Sequence, residues 1–174
     1  VFTGNMAYAP NVNAVEYLAY EIMPLVWKEI PDAKLYVAGA SPDPRVKKVA
    51  SDKIIISGWI DDIREAYAQS KIFIAPMRIG TGLQNKLLEA MSMNLPCITT
   101  HLANESLQAE KDKEILVGGN AEELARHIIT LLTDKEKADA LAQNGYDFVH
   151  RVYDWGEATN IMEEAMRLQL KIES

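Results

Sequence analysis

Short, almost wholly apolar runs alternate with longer segments of helical period, and this alternation limits the fold more than any other feature of the chain. The runs are residues 1–3 (VFT), 34–38 (KLYVA), 54–56 (III), 72–75 (IFIA), 97–100 (CITT) and a shorter one at 115–117 (ILV). Gly4, Gly39, Ser57-Gly58 and Pro76 close the first four. Between the first two, residues 13–30 repeat Val15, Leu18, Ile22, Leu25 and Val26 at helical spacing, and Pro24 predicts a bend or break there. Residues 40–44 read as a loop and 45–50 as one or two helical turns. Asp61 or Asp62 is a candidate cap for a helix reaching about Gln69, and a further helix is expected over 83–93. After the sixth run the chain is helical, over 122–133, 135–152 and 155–171. Strands alternating with helices make βαβ units and a parallel sheet. The runs lack polar alternation, as strands do when helices cover both faces of a sheet. Right-handed crossovers then predict an α/β fold, a Rossmann-like three-layer α/β/α domain with a mainly parallel sheet and C-terminal helices.

In such sheets ligands bind beyond the C-terminal strand ends, where the strand order reverses. The loops after Thr3, Ala38, Ile56, Ala75 and Thr100 are therefore the candidate site loops. With 174 residues the chain suits a single domain, and its formal charge of -7, with both signs mixed along the sequence, argues against a nucleic-acid surface. A local basic site for a small anion remains compatible with that charge. No apolar run approaches the roughly 20 residues of a membrane helix, and the start has no signal-peptide pattern. The single cysteine, Cys97, lies in an apolar stretch and reads as a small core residue, with a reducing cytoplasm as the expected setting. Residue 1 is Val and opens directly on a strand, which predicts a domain of a longer chain.

The most informative segment follows the fourth run: Pro76-Met77-Arg78-Ile79-Gly80-Thr81-Gly82-Leu83-Gln84-Asn85-Lys86-Leu87-Leu88-Glu89. Gly80 and Gly82 sit where a strand passes into a helix, and glycine permits a sharp turn and close approach of a ligand. Free N–H groups of a first helical turn, together with the helix dipole, suit an anion such as a pyrophosphate. Arg78 and Lys86 are the cations available to it, Arg by a forked contact and Lys as a point charge. Glu89 lies three residues after Lys86 on the same helical face, and a carboxylate is a pure acceptor that matches the vicinal hydroxyls of a ribose. Phosphate donors at the helix tip with an acceptor further along give the polarity a nucleoside diphosphate requires. A surface Lys86–Glu89 pair with no ligand is the competing reading. Neither a P-loop motif nor a G-x-G-x-x-G fingerprint is present.

At this segment the chain resembles the C-terminal domain of the group 1 (family 4) glycosyltransferases, in the bacterial branch associated with polysaccharides. The resemblance runs through Phe2-Thr3-Gly4-Asn5-Met6, Pro10-Asn11 and Ala14, Gly39, Ser57 to Asp62, Ala75 to Arg78, Gly82 to Met91, Pro96 to Thr100 and Tyr153-Asp154-Trp155. It implies one half of a GT-B fold, whose acceptor domain would be the N-terminal part of the same polypeptide. It also implies a nucleoside diphosphate-sugar donor, transfer to a glycan, lipid or small acceptor with retention, and no metal or other cofactor. By position, Glu89 would bind the ribose, backbone N–H groups around Gly82, Leu83 and Gln84 would meet the phosphates beside Lys86, Ile60 would pair with the base through its backbone, and Gly4 would line the cleft. The expected location is the cytoplasm, with attachment to the inner membrane through the N-terminal domain left open.

Three positions depart from the family pattern. Thr81 stands where many members carry the first of two glutamates, the one that touches the transferred sugar. Asn5 stands where many have Arg, with no Lys shortly beyond, so Arg78 and Lys86 are the expected substitutes for that charge. Asn94 replaces the usual glycine after the Glu89 helix, and Asn tolerates the left-handed conformation required there. His101 reads as a surface loop residue, and His127 and His150 as helix residues without metal-ligand spacing. Ser57, Ser92 and Ser106 lack a nucleophile elbow. Tyr153 and Trp155 are expected packing anchors, and Ile161, Met162, Met166 and Leu170 an apolar stripe on the last helix. Two other functions fit the same architecture: half of a nucleotide-sugar epimerase, and a non-catalytic nucleotide-binding module.

Overall fold

The computed structural model describes residues 1–80 and 82–153, which hold six parallel strands. These are β1 (Phe2–Thr3), β2 (Leu35–Ala38), β3 (Ile54–Gly58), β4 (Phe73–Ala75), β5 (Cys97–Thr100) and β6 (Leu116–Gly118). One ladder runs β1-β2-β3 and the other β4-β5-β6. Their inner edges meet: the Ile74 N–H donates to the Val1 carbonyl at 3.0 Å, and the Val1 nitrogen donates to the Ile72 carbonyl at 2.7 Å. The strand order is thus β3-β2-β1-β4-β5-β6, and the direction of winding reverses between β1 and β4. Phe2, Val37, Phe73, Ala75 and Ile98 are fully buried, so the sheet centre is apolar as the continuous runs demand. The fold is the doubly wound α/β arrangement that the alternation predicts.

The helices are α1 (Ala9–Tyr17), α2 (Met23–Glu29), α3 (Pro44–Lys48), α4 (Arg64–Ala68), α5 (Asn85–Ser92), α6 (His101–Leu107), α7 (Ala121–Thr133) and α8 (Lys135–Val152). α2 packs on α7, and α5 packs on α8. Several depart from expectation for identifiable reasons. α1 begins four residues before residue 13, because Pro10 lies in its first turn, where the missing N–H costs nothing. Pro24 does not break the segment; residues Leu18–Ile22 widen into a π-helix, with the Met23 N–H bonded to the Leu18 carbonyl, and α2 follows with Pro24 in its own first turn. α4 starts at Arg64 rather than at the aspartates, and Asp62 accepts the Arg64 N–H at 3.0 Å from just outside the helix. α5 starts at Asn85, two residues later than residue 83. His101 opens α6 instead of lying in a loop. Thr81, the helix expected over 155–171, Trp155 and its apolar stripe lie outside the described residues.

α5 ends as Asn94 requires. Asn94 has φ +55°, its N–H bonds the Met91 carbonyl at 2.9 Å, and the Leu95 N–H reaches back to Ala90 at 3.1 Å. Glycine would hold this conformation more cheaply than any residue with a Cβ. Asn94→Gly should therefore leave stability equal or higher, whereas Asn94→Ala should lower it by about 1 kcal/mol in urea denaturation. Equal stability of the two variants would contradict this account of the helix end.

Candidate functional site

Gly39 sets how closely the first two strands approach at the ligand edge. A Cβ on Gly39 would lie 1.8 Å from the Gly4 carbonyl oxygen, and both residues have positive φ, +145° and +150°. The Gly4 N–H donates to Ala38 O at 3.0 Å and the Gly39 N–H to Gly58 O at 3.0 Å, which steps the backbone across three strand ends. Beyond Gly4 the chain turns at once. Asn5 accepts the Ala7 N–H on its side chain at 3.0 Å, and the Asn5 carbonyl accepts Asn11 Nδ2 at 2.9 Å.

Asn11, on the first turn of α1, is buried, and its amide orientation follows from its two partners. With Nδ2 given to Asn5, Oδ1 accepts the Lys86 ammonium at 2.6 Å. Lys86 reaches there from α5, its Nζ 4.5 Å from the centroid of the Phe2 ring. A Cβ on Gly4 would come within 2.7 Å of Asn11 Nδ2 and 3.0 Å of Lys86 Nζ and would be strained at φ +150°, so glycine is favoured where β1 ends beside this ammonium. Burial lowers the Lys86 pKa from 10.5 to about 8, against the opposing pull of Glu89. The charge therefore sits at the β1/β4 reversal, partly stripped of water, and its partners among the described residues are a neutral amide, an aromatic face and a nearby carboxylate.

The start of α5 lies beside it. Among the described residues no side chain caps this helix: Gln84, at the cap position, turns its amide back to donate to the Gly82 carbonyl at 3.3 Å. The Leu87 N–H donates to the Gln84 carbonyl at 2.8 Å, while those of Asn85 and Lys86 have no partner among the described residues. Gly80 and Gly82 have φ +105° and +92°; a Cβ on Gly82 would meet nothing within 4 Å, and Gly80 lies over Pro10. Leu83 is exposed at 38%. Glu89 is exposed on the same helix and accepts the Tyr67 hydroxyl on Oε2 at 2.7 Å; that hydroxyl is 2.9 Å from Thr3 Oγ1.

Arg78 is placed elsewhere. Its Nε donates to Asn13 Oδ1 at 3.1 Å, Nη1 pairs with Glu21 at 3.1 Å, and its guanidinium carbon lies 4.0 Å from the Tyr17 ring centroid. It ties the loop after β4 to α1 and the π-helical segment, while Lys86 alone of the two lies against Gly4 and Asn11. Ile60 follows β3 half-buried, next to Trp59, whose indole N–H donates to Asp61 at 3.0 Å. His127 lies near the Val117 carbonyl at 3.3 Å, and burial lowers its pKa. Cys97 is buried, and burial pushes its thiol up. Among the described residues no three His, Cys, Asp or Glu side chains lie close enough to hold a metal ion.

Thr3, Asn11 and Tyr67 complete this constellation and were not read as site residues from the sequence. Asn11 carried the only available signal, a polar residue in the first turn of a helix just beyond a site loop. Tyr67 looks like any aromatic on the inner face of a short helix.

The fold is a doubly wound parallel α/β domain, with Gly4, Asn11, Lys86 and Glu89 gathered about its β1/β4 reversal. The chain belongs to the group 1 glycosyl transferases, whose family model matches residues 1–134. It is 26% identical over 163 residues to an uncharacterized 44.6 kDa protein in the cps region of Klebsiella pneumoniae, covering 88% of this chain and 42% of that protein. It is 25% identical over 162 residues to the poly(glycerol-phosphate) alpha-glucosyltransferase of Bacillus subtilis, covering 84% of this chain and 24% of that one. The chain thus spans less than half the length of these relatives. Among solved structures it resembles Anabaena HepE in complex with UDP and glucose, with TM-score 0.73 and 15% identity over 85% of this chain and 44% of that one. It also resembles the C-terminal domain of the group 1 family protein LpcC from Francisella tularensis, with TM-score 0.68 and 23% identity over 89% of this chain and 84% of that one.

Proposed function

We propose that the chain is the donor-binding domain of a glycosyltransferase, and that the whole protein transfers a sugar from a nucleoside diphosphate-sugar to a glycan, lipid or small acceptor, with retention and without a metal. The observation that carries this reading is the buried Lys86 ammonium beside the uncapped start of α5, with Glu89 three residues further along the helix. The diphosphate lies over the first-turn N–H groups of α5 and takes Lys86 as its charged partner. Gly4 gives it room, and Glu89 accepts from the ribose hydroxyls. As the bond from the sugar to the diphosphate breaks, negative charge grows on the departing phosphate, where prepositioned donors stabilise it most. An N-terminal domain of the same polypeptide supplies the facing wall and the acceptor. Solved relatives of this fold that hold UDP support the donor class.

The Lys86 pKa gives the reading a pH signature. Below about 8 the ammonium is charged before the ligand arrives. Above that, binding must take up a proton, because the diphosphate favours the charged lysine. Affinity for UDP, GDP or ADP, whichever binds, should be flat just below pH 8 and fall towards tenfold per pH unit above it. Isothermal titration from pH 7.5 to 9.5 in buffers of different ionisation enthalpy measures both the fall and the proton taken up. Constant affinity over that range removes Lys86 from the phosphate site. A thermal-shift panel of UDP, GDP, ADP and their sugars on the full-length protein tests the function itself: a selective rise identifies the donor nucleotide, and no rise with any of them defeats the reading.

A further inference from the structure

Thr3 ends β1, Tyr67 lies on α4 and Glu89 on α5, so one hydrogen-bonded line joins three elements around the strand reversal. The direction of that line is fixed by chemistry. A carboxylate only accepts, so the Tyr67 hydroxyl donates its single proton to Glu89 Oε2 at 2.7 Å. It has none left for Thr3, whose hydroxyl at 2.9 Å must therefore be the donor. Thr3 and Tyr67 are buried at 2% and 1% exposure, while Glu89 is exposed. Burial alone does not call for this arrangement. A buried tyrosine hydroxyl needs one partner, and Thr3 would satisfy it as an acceptor. Instead the proton points outward, to a long side chain that would otherwise turn freely in solvent.

We propose that Tyr67, itself held by Thr3, is a positioning residue that fixes the Glu89 carboxylate for the ribose hydroxyls of the donor. This rests on the reading of Glu89 given above. Tyr67 occupies one oxygen of the carboxylate on the side facing the sheet and leaves Oε1 unpaired among the described residues. Thr3 donating to Tyr67 polarises the phenol and strengthens its bond to the carboxylate. Selectivity for a ribonucleotide is then built in before the donor binds.

The test uses the full-length protein and whichever of UDP, GDP or ADP gives the largest thermal shift, together with its 2′,3′-dideoxy form. Tyr67→Phe keeps the ring, including its packing at 5.7 Å from Phe73, and removes the hydroxyl. It should weaken the ribonucleotide on the order of tenfold and leave the dideoxy form unchanged. Thr3→Val should move the same ratio in the same direction by less. Equal weakening of both ligands would make Tyr67 merely structural, and no weakening of either would leave it idle; each result overturns the proposal. Glu89→Ala separates the two levels of inference. If it fails to reduce the ribo-to-dideoxy preference, the ribose role of Glu89 is wrong and the proposal falls with it. If it does reduce the preference while Tyr67→Phe does not, only the proposal falls.

Discussion

Lys86→Met should weaken nucleoside diphosphate binding by roughly a hundredfold, about 3 kcal/mol, without lowering the stability of the ligand-free protein at pH 7. The two effects have one origin. The ammonium is held partly out of water with no full counter-charge in contact among the described residues, and burial holds its pKa down at about 8. Folding loses stability by burying the charge, and a diphosphate bound beside it would restore the missing electrostatics. Methionine keeps a flexible apolar stem and removes the charge, at the expense of leaving Asn11 Oδ1 without its partner. The pH dependence separates the contributions. The folded pKa lies below the unfolded value of 10.5, so the unfolded state binds more protons between about 8 and 10.5, and wild-type stability should rise through that window. Lys86→Met lacks this rise, so any stability advantage it has is largest below about pH 8 and shrinks above it. Binding within twofold of wild type, or a variant that unfolds at pH 7, would contradict the placement of the charge.

Gly39→Ala should destabilise the protein by roughly 4 kcal/mol, from backbone strain and overlap together. At φ +145° an alanine is strained, and its Cβ would stand 1.8 Å from the Gly4 oxygen and 2.8 Å from the Gly4 carbon. Both are backbone atoms and cannot swing aside, so β1 and β2 must part where Gly4 meets Lys86 and Asn11. Donor binding should be lost with the stability. Gly58→Ala is the control: φ is +71°, an added Cβ meets nothing within 4 Å, and only the strain of about 1 kcal/mol remains. Urea denaturation of both variants measures the difference, and similar losses would show that close strand approach does not govern this edge.

The strands were legible because each is a continuous apolar run bounded by glycine, proline or polar residues, and all six lie within two residues of expectation. α8 was read to the residue and α7 to within one, since their apolar periods run for several turns. α6 was not, because seven residues after a strand carry too little period to separate a helix from a loop. The start of α5 slipped because Gln84 gives no capping signal, and the π-helix escaped notice because a proline signals disruption without its form. At the site, the Gly82-to-Glu89 pattern pointed to one helix, and Gly4 to the facing strand end. Asn11 and Tyr67 join it through contacts 75 and 22 residues distant in sequence, which no local pattern encodes. The Arg78 contacts belong to α1 and the π segment, where Asn13, Tyr17 and Glu21 recur every four residues along one face.

In the proposed function a diphosphate sits over the start of α5, against Lys86, at the reversal between β1 and β4. The most direct measurement is a crystal structure of the full-length protein with the nucleoside diphosphate selected by thermal shift. The expected result is a phosphate oxygen within about 3 Å of Lys86 Nζ, the Asn85 and Lys86 amides of α5 donating to the same group, and the ribose hydroxyls on Glu89. A diphosphate bound away from the β1/β4 reversal, with Lys86 still held by Asn11 alone, would contradict it.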